Sequence, residues 1–463
     1  MLFSSIVFLY YFLPIVLITY FIVPKKLKNS ALLVSSLFFY AWGEPKYVIL
    51  MVISILLGYI YGLLIECSKS KAAARLWLTL SCVTGIGFLA YFKYADFFIE
   101  NFNLATGLSL PLLKIALPIG ISFFTFQILS YTVDVYRKDT PAQKNIIDFA
   151  AYVSMFPQLI AGPIVRYVDV AKELKEREIT VAKGYEGGRR FIFGLGKKVL
   201  VANLLGELCD IFRASDDKSV LFYWMYAIAF CLHVYFDFSG YSDMAIGLGK
   251  IFGFNFIENF NYPFISKTIT EFWRRWHISL GSWFRDYVYI PMGGNRVGPV
   301  RLLFNIFVVW MLTGLWHGAA WNFVIWGVMF AILLIFEKLW FMKVIKKAPS
   351  ILQHIYVMLL VIISFVIFNA STLTQAVQDI GGMFGAGNVP LVSGETLYYM
   401  RSYAVVLIMG LVGCTPIVKK AGLKIRDKAI SVVLEPVALL GLLMVITAFL
   451  VDGSFNPFLY FRF

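Results

Sequence analysis

The stretch LLFNIFVVWMLTGLWHGAAWNFVIWGVMFAILLIF, residues 302–336, carries a single ionisable side chain, His317, where two apolar halves meet. The halves, 302–316 and 320–336, read as helices that enter and leave a hydrocarbon layer about 30 Å thick. A polar group at that depth is costly unless it serves a purpose, so His317 is the first candidate functional residue. The alternative is a buried histidine bonded to a helix carbonyl. The chain has four histidines, His233, His277, His317 and His354. For His233 and His354 the alternative is preferred, and for His277 both readings stand.

Outward from this stretch the composition fixes the class. Sixty per cent of 463 residues are hydrophobic, 15% are charged and the mean hydropathy is +0.77, a balance foreign to soluble domains. The chain is expected to be an all-α polytopic membrane protein with about eleven or twelve transmembrane helices, at 3–23, 31–42 (short), 47–65, 76–92, 116–136, 191–212, 220–238, 302–316, 320–336, 351–368, 403–418 and 429–451. The first lacks a basic leader and a small-residue cleavage site, so it reads as an uncleaved span. Basic clusters at 25–28, 69–75, 137–138, 189–190, 274–301, 343–347 and 419–428 alternate with loops bearing Glu44, Asp96, Glu100, Asp216, Asp217 and Asp379. Lysine and arginine gather on the cytoplasmic side, which puts the amino terminus outside. The net charge of +14 then reflects topology and an anionic lipid surface, and argues against a nucleic-acid partner. Five isolated cysteines form neither a disulfide framework nor a metal-binding spacing. No repeat, low-complexity tract or detachable soluble domain is visible, so 1–463 is expected to be one membrane domain.

Two interruptions, 137–188 and 239–301, are too rich in aromatic residues, glycine and proline to be plain linkers. In the first, Pro157, Gly162 and Pro163 break the apolar segment 155–163, which predicts a re-entrant hairpin buried in protein or facing a water-filled cavity. In the second, Thr268 and Glu271 have capping-box spacing. Ile269, Phe272, Trp273, Trp276, Leu280, Trp283, Phe284 and Tyr287 then recur at helical intervals, which predicts an amphipathic helix at the cytoplasmic interface with His277 at the border of its two faces. From Lys267 to Arg301 there are six basic residues against two acidic ones. Arg274 and Arg275 could thus receive a polyphosphate such as coenzyme A, or simply satisfy the topological bias.

From Arg301 to His317 a helix rises about 24 Å, which sets His317 deep in the protein, toward the outer half. Gly314 and Gly318 permit close approach of backbone or substrate. Trp316, Trp321 and Asn322 would supply an aromatic wall and an amide, and a neutral imidazole held there could serve as a general base. Asp237, Ser239, Tyr241 and Asp243 either line the same channel or only satisfy helix ends and loop amides. Arg166 is positioned in sequence to pair with one of these acids or with substrate.

The segments Phe236-Asp237-Phe238-Ser239-Gly240-Tyr241-Ser242-Asp243-Met244-Ala245-Ile246-Gly247, Asn259-Phe260-Asn261-Tyr262-Pro263-Phe264, Phe272-Trp273-Arg274-Arg275-Trp276-His277-Ile278-Ser279-Leu280 and Thr313-Gly314-Leu315-Trp316-His317-Gly318-Ala319 resemble the membrane-bound O-acyltransferases. The opening Met1-Leu2-Phe3-Ser4-Ser5 and the closing Asn456-Pro457-Phe458-Leu459-Tyr460-Phe461-Arg462-Phe463 resemble the branch containing the membrane subunit of bacterial alginate O-acetyltransferase. The resemblance implies that family's fold with a central channel, here divided as amino-terminal spans 1–136, a catalytic core 137–342 and carboxy-terminal spans 343–463. It implies that His317 is catalytic and that His277 is the second family histidine, with Trp273, Arg274, Arg275, Trp276, Trp316, Trp321, Asn322, Asp237, Tyr241 and Asp243 along the channel. It further implies an O-acetyltransferase in the bacterial cytoplasmic membrane, with no tightly bound cofactor or metal. Acetyl-CoA is the expected cytoplasmic donor, the final acceptor an extracytoplasmic polysaccharide or peptidoglycan, and the partner an exported SGNH-type acetyltransferase or a small carrier. D-alanyl transfer to teichoic acid is the neighbouring alternative. An envelope-precursor transporter or flippase is the alternative of a different class, and the paired interrupted spans common in transporters are not evident here.

Overall fold

The computed structural model describes residues 1–426, 431–453, 458 and 459. Among them are helices, turns and loops but no strand. They gather into two compact units, Met1–Phe191 with Met244–Ile257, and Ile192–Asp243 with Glu258–Phe463.

Seven helical stretches are long and apolar enough to cross a membrane: Val48–Cys67, Lys71–Thr106, Val220–Ile251, Pro299–His317, Trp321–Ile345, Ser350–Asn369 and Ser431–Asp452. The bent pair Gly394–Ser402 and Ala404–Gly413 raises the number to eight if it is one span. This falls short of the eleven or twelve expected, for identifiable reasons. The 3–23 segment contains a π-helical turn, Phe8–Phe12, before the helix Leu13–Ile22. The 31–42 segment belongs to a 16-residue helix, Lys28–Gly43. The 116–136 segment becomes the 17-residue helix Ile121–Arg137, nearly all of it buried in protein. The 191–212 segment is interrupted by a π-helical turn, Lys197–Ala202, that carries two lysines. Of the expected span 429–451, residues 429 and 430 lie outside the described residues, as do all of the closing 456–463 motif except Phe458 and Leu459.

In the first unit Val48–Cys67 packs on Ile121–Arg137 at a small-residue seam. A Cβ at Gly58 would stand 2.7 Å from the Ile128 side chain, and one at Gly62 would collide with the Tyr131 ring, so the helices meet as closely as small-xxx-small interfaces allow. The predicted broken segment is irregular and dry. The helix Ile146–Ser154 gives way to a single turn, Phe156–Leu159, and a loop, with residues 155–165 buried throughout. Several of its polar groups are bonded within the protein: Gln158 donates to the Tyr152 carbonyl at 2.6 Å, Tyr152 to that of Val165 at 3.1 Å, and the Phe156 amide to Ser36 at 3.0 Å. Arg166 forms an ion pair with Asp169, three residues on, at 2.9 Å.

The second unit carries the site. Its helices are named α1 (Val220–Ile251, contributing residues 220–243), α2 (Ile269–Arg275), α3 (Ile278–Phe284), α4 (Pro299–His317), α5 (Trp321–Phe336) and α6 (Ser350–Asn369). Of the apolar window of α1, 72% is buried, against 6 to 33% for the other six spans, so α1 is the post around which core side chains collect. Helices α4 and α5 cross at two glycines. A Cβ on Gly314 would lie 3.2 Å from the Gly327 backbone, and one on Gly327 3.1 Å from that of Gly314. That approach places the end of α4, where His317 sits, against Trp326 of α5.

The expected single amphipathic helix is instead two, broken at Trp276 and His277. His277 adopts a left-handed conformation, φ 44° and ψ 55°, which interrupts the helix even though the apolar period runs on. Nor does α2 lie with one face in lipid: Ile269, Phe272 and Trp276 are almost completely buried. The carboxylate of Glu337, just past the end of α5, accepts from the Ile269 and Thr270 amides at 2.7 and 2.9 Å. Trp273 then meets Trp310 at 4.6 Å between ring centroids, and His277 meets Trp316 at 5.8 Å. The segment therefore runs alongside α4 from Trp310 to Trp316, about 9 Å of helix rise, and delivers His277 to the level of His317.

Candidate functional site

His317 is the last residue of α4 and is half-buried. It borders a small cavity of about 40 Å³, whose other walls include Trp276, Trp326, Phe365, Phe368 and Asp237. The Trp326 and Phe368 rings both stand nearly perpendicular to the imidazole at 5.2 Å. Edge-on aromatic contacts of this kind fix the plane of the ring. The enclosure is a small, mostly apolar space beside two titratable groups, His317 and Asp237.

His277 lies behind this wall, 3% exposed, with Phe238 4.6 Å away on one side and Trp316 between it and His317. Its proton position follows from its neighbour. Asn259 presents Oδ1 to the backbone N–H of Ser279 at 3.2 Å and to His277 Nδ1 at 3.1 Å. A backbone N–H only donates, so the facing Asn259 atom is an oxygen, and His277 Nδ1 must carry hydrogen to approach it. Asn259 is held in turn by donating to Ser242 at 3.0 Å. Burial holds the His277 imidazole well below its ordinary 6.5, and the neighbouring His317 adds to the shift. The ring is neutral, and its Nε2 is a buried acceptor with no protein partner among the described residues.

Asp237 joins the cavity wall to a buried ion pair. Its carboxylate lies 2.5 Å from Lys198, with the two side chains 2% and 0% exposed, and it accepts the backbone N–H of Leu459 at 2.8 Å. Lys198 also sits 4.7 Å over the Phe458 ring, and Tyr241 meets that ring edge-on at 4.5 Å. Phe458 and Leu459 thereby become part of the wall around His317. Leu459 also borders a second, polar cavity of about 240 Å³ lined by Asp210, Arg213, His233, Asn369 and Gln375.

The residues singled out from sequence separate into groups. His317, Trp276 and Asp237 border one cavity, with Trp316 and His277 packed directly behind. Tyr241 supports the wall through Phe458. Asn322 donates to the Phe368 carbonyl at 3.0 Å and so holds α6 against α5. Trp273 is in the aromatic stack of Trp310, Trp326 and Phe330. Asp243 pairs with Lys197 at 2.7 Å. Arg275 is engaged by Glu271 at 2.9 Å and the Asn261 carbonyl at 3.1 Å, whereas Arg274 is exposed. Trp321 is 52% exposed and does not border the cavity, because it opens α5 on the outward side. His233 and His354 have the carbonyl contacts of structural histidines, at 2.6 Å to Ala202 and 3.3 Å to Ser266. The capping box is half realised: Thr268 accepts from Glu271, while the Glu271 carboxylate takes the amide of Lys267.

Sequence reasoning missed Lys198, Asn259, Trp326, Phe368 and Leu459. A lysine inside an apolar stretch is itself a signal, and Asn259 falls in a quoted motif with no role attached to it. Trp326 and Phe368 had no signal, being two aromatics among 81 Phe, Tyr and Trp residues.

A sequence model of the membrane-bound O-acyltransferase family matches residues 86–374, which contain every helix just described. The chain is 39% identical to a probable alginate O-acetylase of Azotobacter vinelandii, over the full length of both chains. It is 44% identical to a probable alginate O-acetylase of Pseudomonas aeruginosa over 84% of this chain and 75% of that one. It is 35% identical to a peptidoglycan O-acetyltransferase of Helicobacter pylori over 84% of this chain and 81% of that one.

Proposed function

The chain belongs to the membrane-bound O-acyltransferase family and is a multi-pass membrane O-acyltransferase, and on that premise we propose that it carries an acetyl group from cytoplasmic acetyl-CoA outward for O-acetylation of an envelope polysaccharide or peptidoglycan. The observation that carries this reading is His317, whose imidazole borders an aromatic-walled cavity. In the proposed step the acceptor hydroxyl oxygen attacks the thioester carbonyl carbon while His317 takes the hydroxyl proton. The carbon–sulfur bond breaks, and the same proton passes to the departing thiolate. The aromatic walls keep bulk water from competing with the acceptor. His277 stays neutral and braces Trp316. The exposed Arg274 is the better placed of the two arginines for the donor's phosphates, since Arg275 is engaged by Glu271. With the amino terminus outside, an exported acetyltransferase of SGNH type or a small carrier takes the acetyl group onward to the polymer.

The test is acetyl transfer by the purified protein in proteoliposomes supplied with labelled acetyl-CoA and acceptor. His317→Ala should lower transfer by about 100-fold or more while the protein inserts in normal amount. Retained transfer would overturn the assignment. A D-alanyl carrier thioester supplied in place of acetyl-CoA should give no labelled product; if it alone gives product, the D-alanyl reading replaces this one.

A further inference from the structure

Trp326 borders the His317 cavity, is 2% exposed, and its indole N–H has no hydrogen-bond partner among the described residues. Leaving such a donor unpaired in a dry interior costs about 1–3 kcal/mol. A phenylalanine would fill an aromatic slot between Phe330 and Phe368, whose rings lie 5.0 and 5.3 Å away, without that cost. An orphaned buried donor at a cavity wall calls for an occasional partner.

Apart from the Trp276 indole, the other walls offer little to a developing negative charge. Most are hydrocarbon or phenyl. Asp237 repels an anion, Lys198 is engaged with it, and the Leu459 amide donates to the same carboxylate. The reaction proposed above passes through a tetrahedral oxyanion, which needs a donor fixed in advance in low-dielectric surroundings. Trp326 stands with its ring 5.2 Å from that of His317 at 83°, and both residues border the same cavity.

We propose that the Trp326 indole N–H is the oxyanion donor of the acyl transfer. As the acceptor oxygen bonds to the thioester carbon, the carbonyl π electrons move onto its oxygen, which Trp326 stabilises by hydrogen bonding. They return as the carbon–sulfur bond breaks, and Trp326 ends the cycle with its own proton. This inference rests on the acyl-transfer reading, in which His317 is the base.

The experiment replaces Trp326 in the full-length protein with phenylalanine and, by nonsense suppression, with benzothienylalanine, which keeps the bicyclic shape and puts sulfur where the N–H was. Both should lower kcat for acetyl transfer by about 100-fold, the scale of losing one oxyanion donor, with KM for acetyl-CoA little changed and the protein inserted in normal amount. Wild-type kcat in the benzothienylalanine protein would overturn the proposal, whatever Trp326→Phe does, because only the donor has been removed. The His317→Ala result tests the underlying reading separately: full activity there removes the base, whereas full activity in the Trp326 variants removes only this donor.

Discussion

His277 holds a non-glycine residue in the left-handed region, at φ 44°, a conformation that costs on the order of 1–3 kcal/mol. Asn259 compensates by binding the turn at three points, with its carbonyl on the Ile278 amide at 2.9 Å and its side chain on Ser279 and His277. Asn259→Ala should therefore lower thermal stability by about 2 kcal/mol, measured by unfolding in detergent, and reduce acetyl transfer as His277 loses its fixed tautomer. The pH dependence has a definite sign. Because burial depresses the folded-state pKa of His277 below 6.5, the unfolded chain binds the extra proton first as pH falls. The His277 contribution to stability is complete above pH 6.5 and is lost on acidification, with a slope of at most about 1.4 kcal/mol per pH unit. His277→Gln should flatten the acid limb of a Tm-against-pH curve; an unchanged limb would mean that the imidazole is not held neutral. Another test concerns Lys198 and Asp237. Losing either partner alone, as in Asp237→Ala, should cost about 3–5 kcal/mol, while Lys198→Met with Asp237→Leu should recover much of that loss. The sequence offered both charges for inspection, yet their pairing across about forty residues has no local signature.

The pair α2 and α3 shows where helical periodicity stops being informative. Phe272, Trp276, Leu280 and Trp283 keep a regular interval through His277, so a reading by period predicts one helix, and only the Asn259 clamp, far back in the chain, reveals the break. The start of α2 was legible from Thr268 and Glu271. Its second cap was not, because Glu337 lies 68 residues away from Ile269. Glu337 accepts from two amides and the Thr270 hydroxyl. Glu337→Ala should therefore leave buried donors unpaired, speed hydrogen exchange over 269–277 and lower kcat more than it raises KM for acetyl-CoA. Protection equal to wild type would show that the aromatic stack alone fixes α2. Gly314 reads from sequence as a point of close approach for backbone or substrate, but its partner Gly327 does not, since one glycine in an apolar run does not announce which partner it faces.

Across the molecule, hydropathy conveyed an all-helical membrane protein, but apolarity alone does not separate a helix buried in protein, such as Ile121–Arg137, from one facing lipid. Charge asymmetry gives the orientation to be tested. Cys67 and Cys82 are the native cysteines that are not buried. In a cysteine-free background, single cysteines at the exposed positions Lys26, Lys71, Arg296 and Lys346 should resist an impermeant thiol reagent in intact cells, whereas Asp216 and Glu395 should label. Outside labelling at Lys26 and Lys71 would invert the proposed direction of transfer. The shared wall at Leu459 has a practical corollary. Because Asp237 ties the Leu459 amide and Lys198 stacks over Phe458, a purification handle fused downstream of Leu459 is expected to load two residues that border the His317 cavity. A handle at the amino terminus leaves that anchorage untouched, so comparing the two fusions for thioester loss without product would show how tightly the two compartments are sealed from each other.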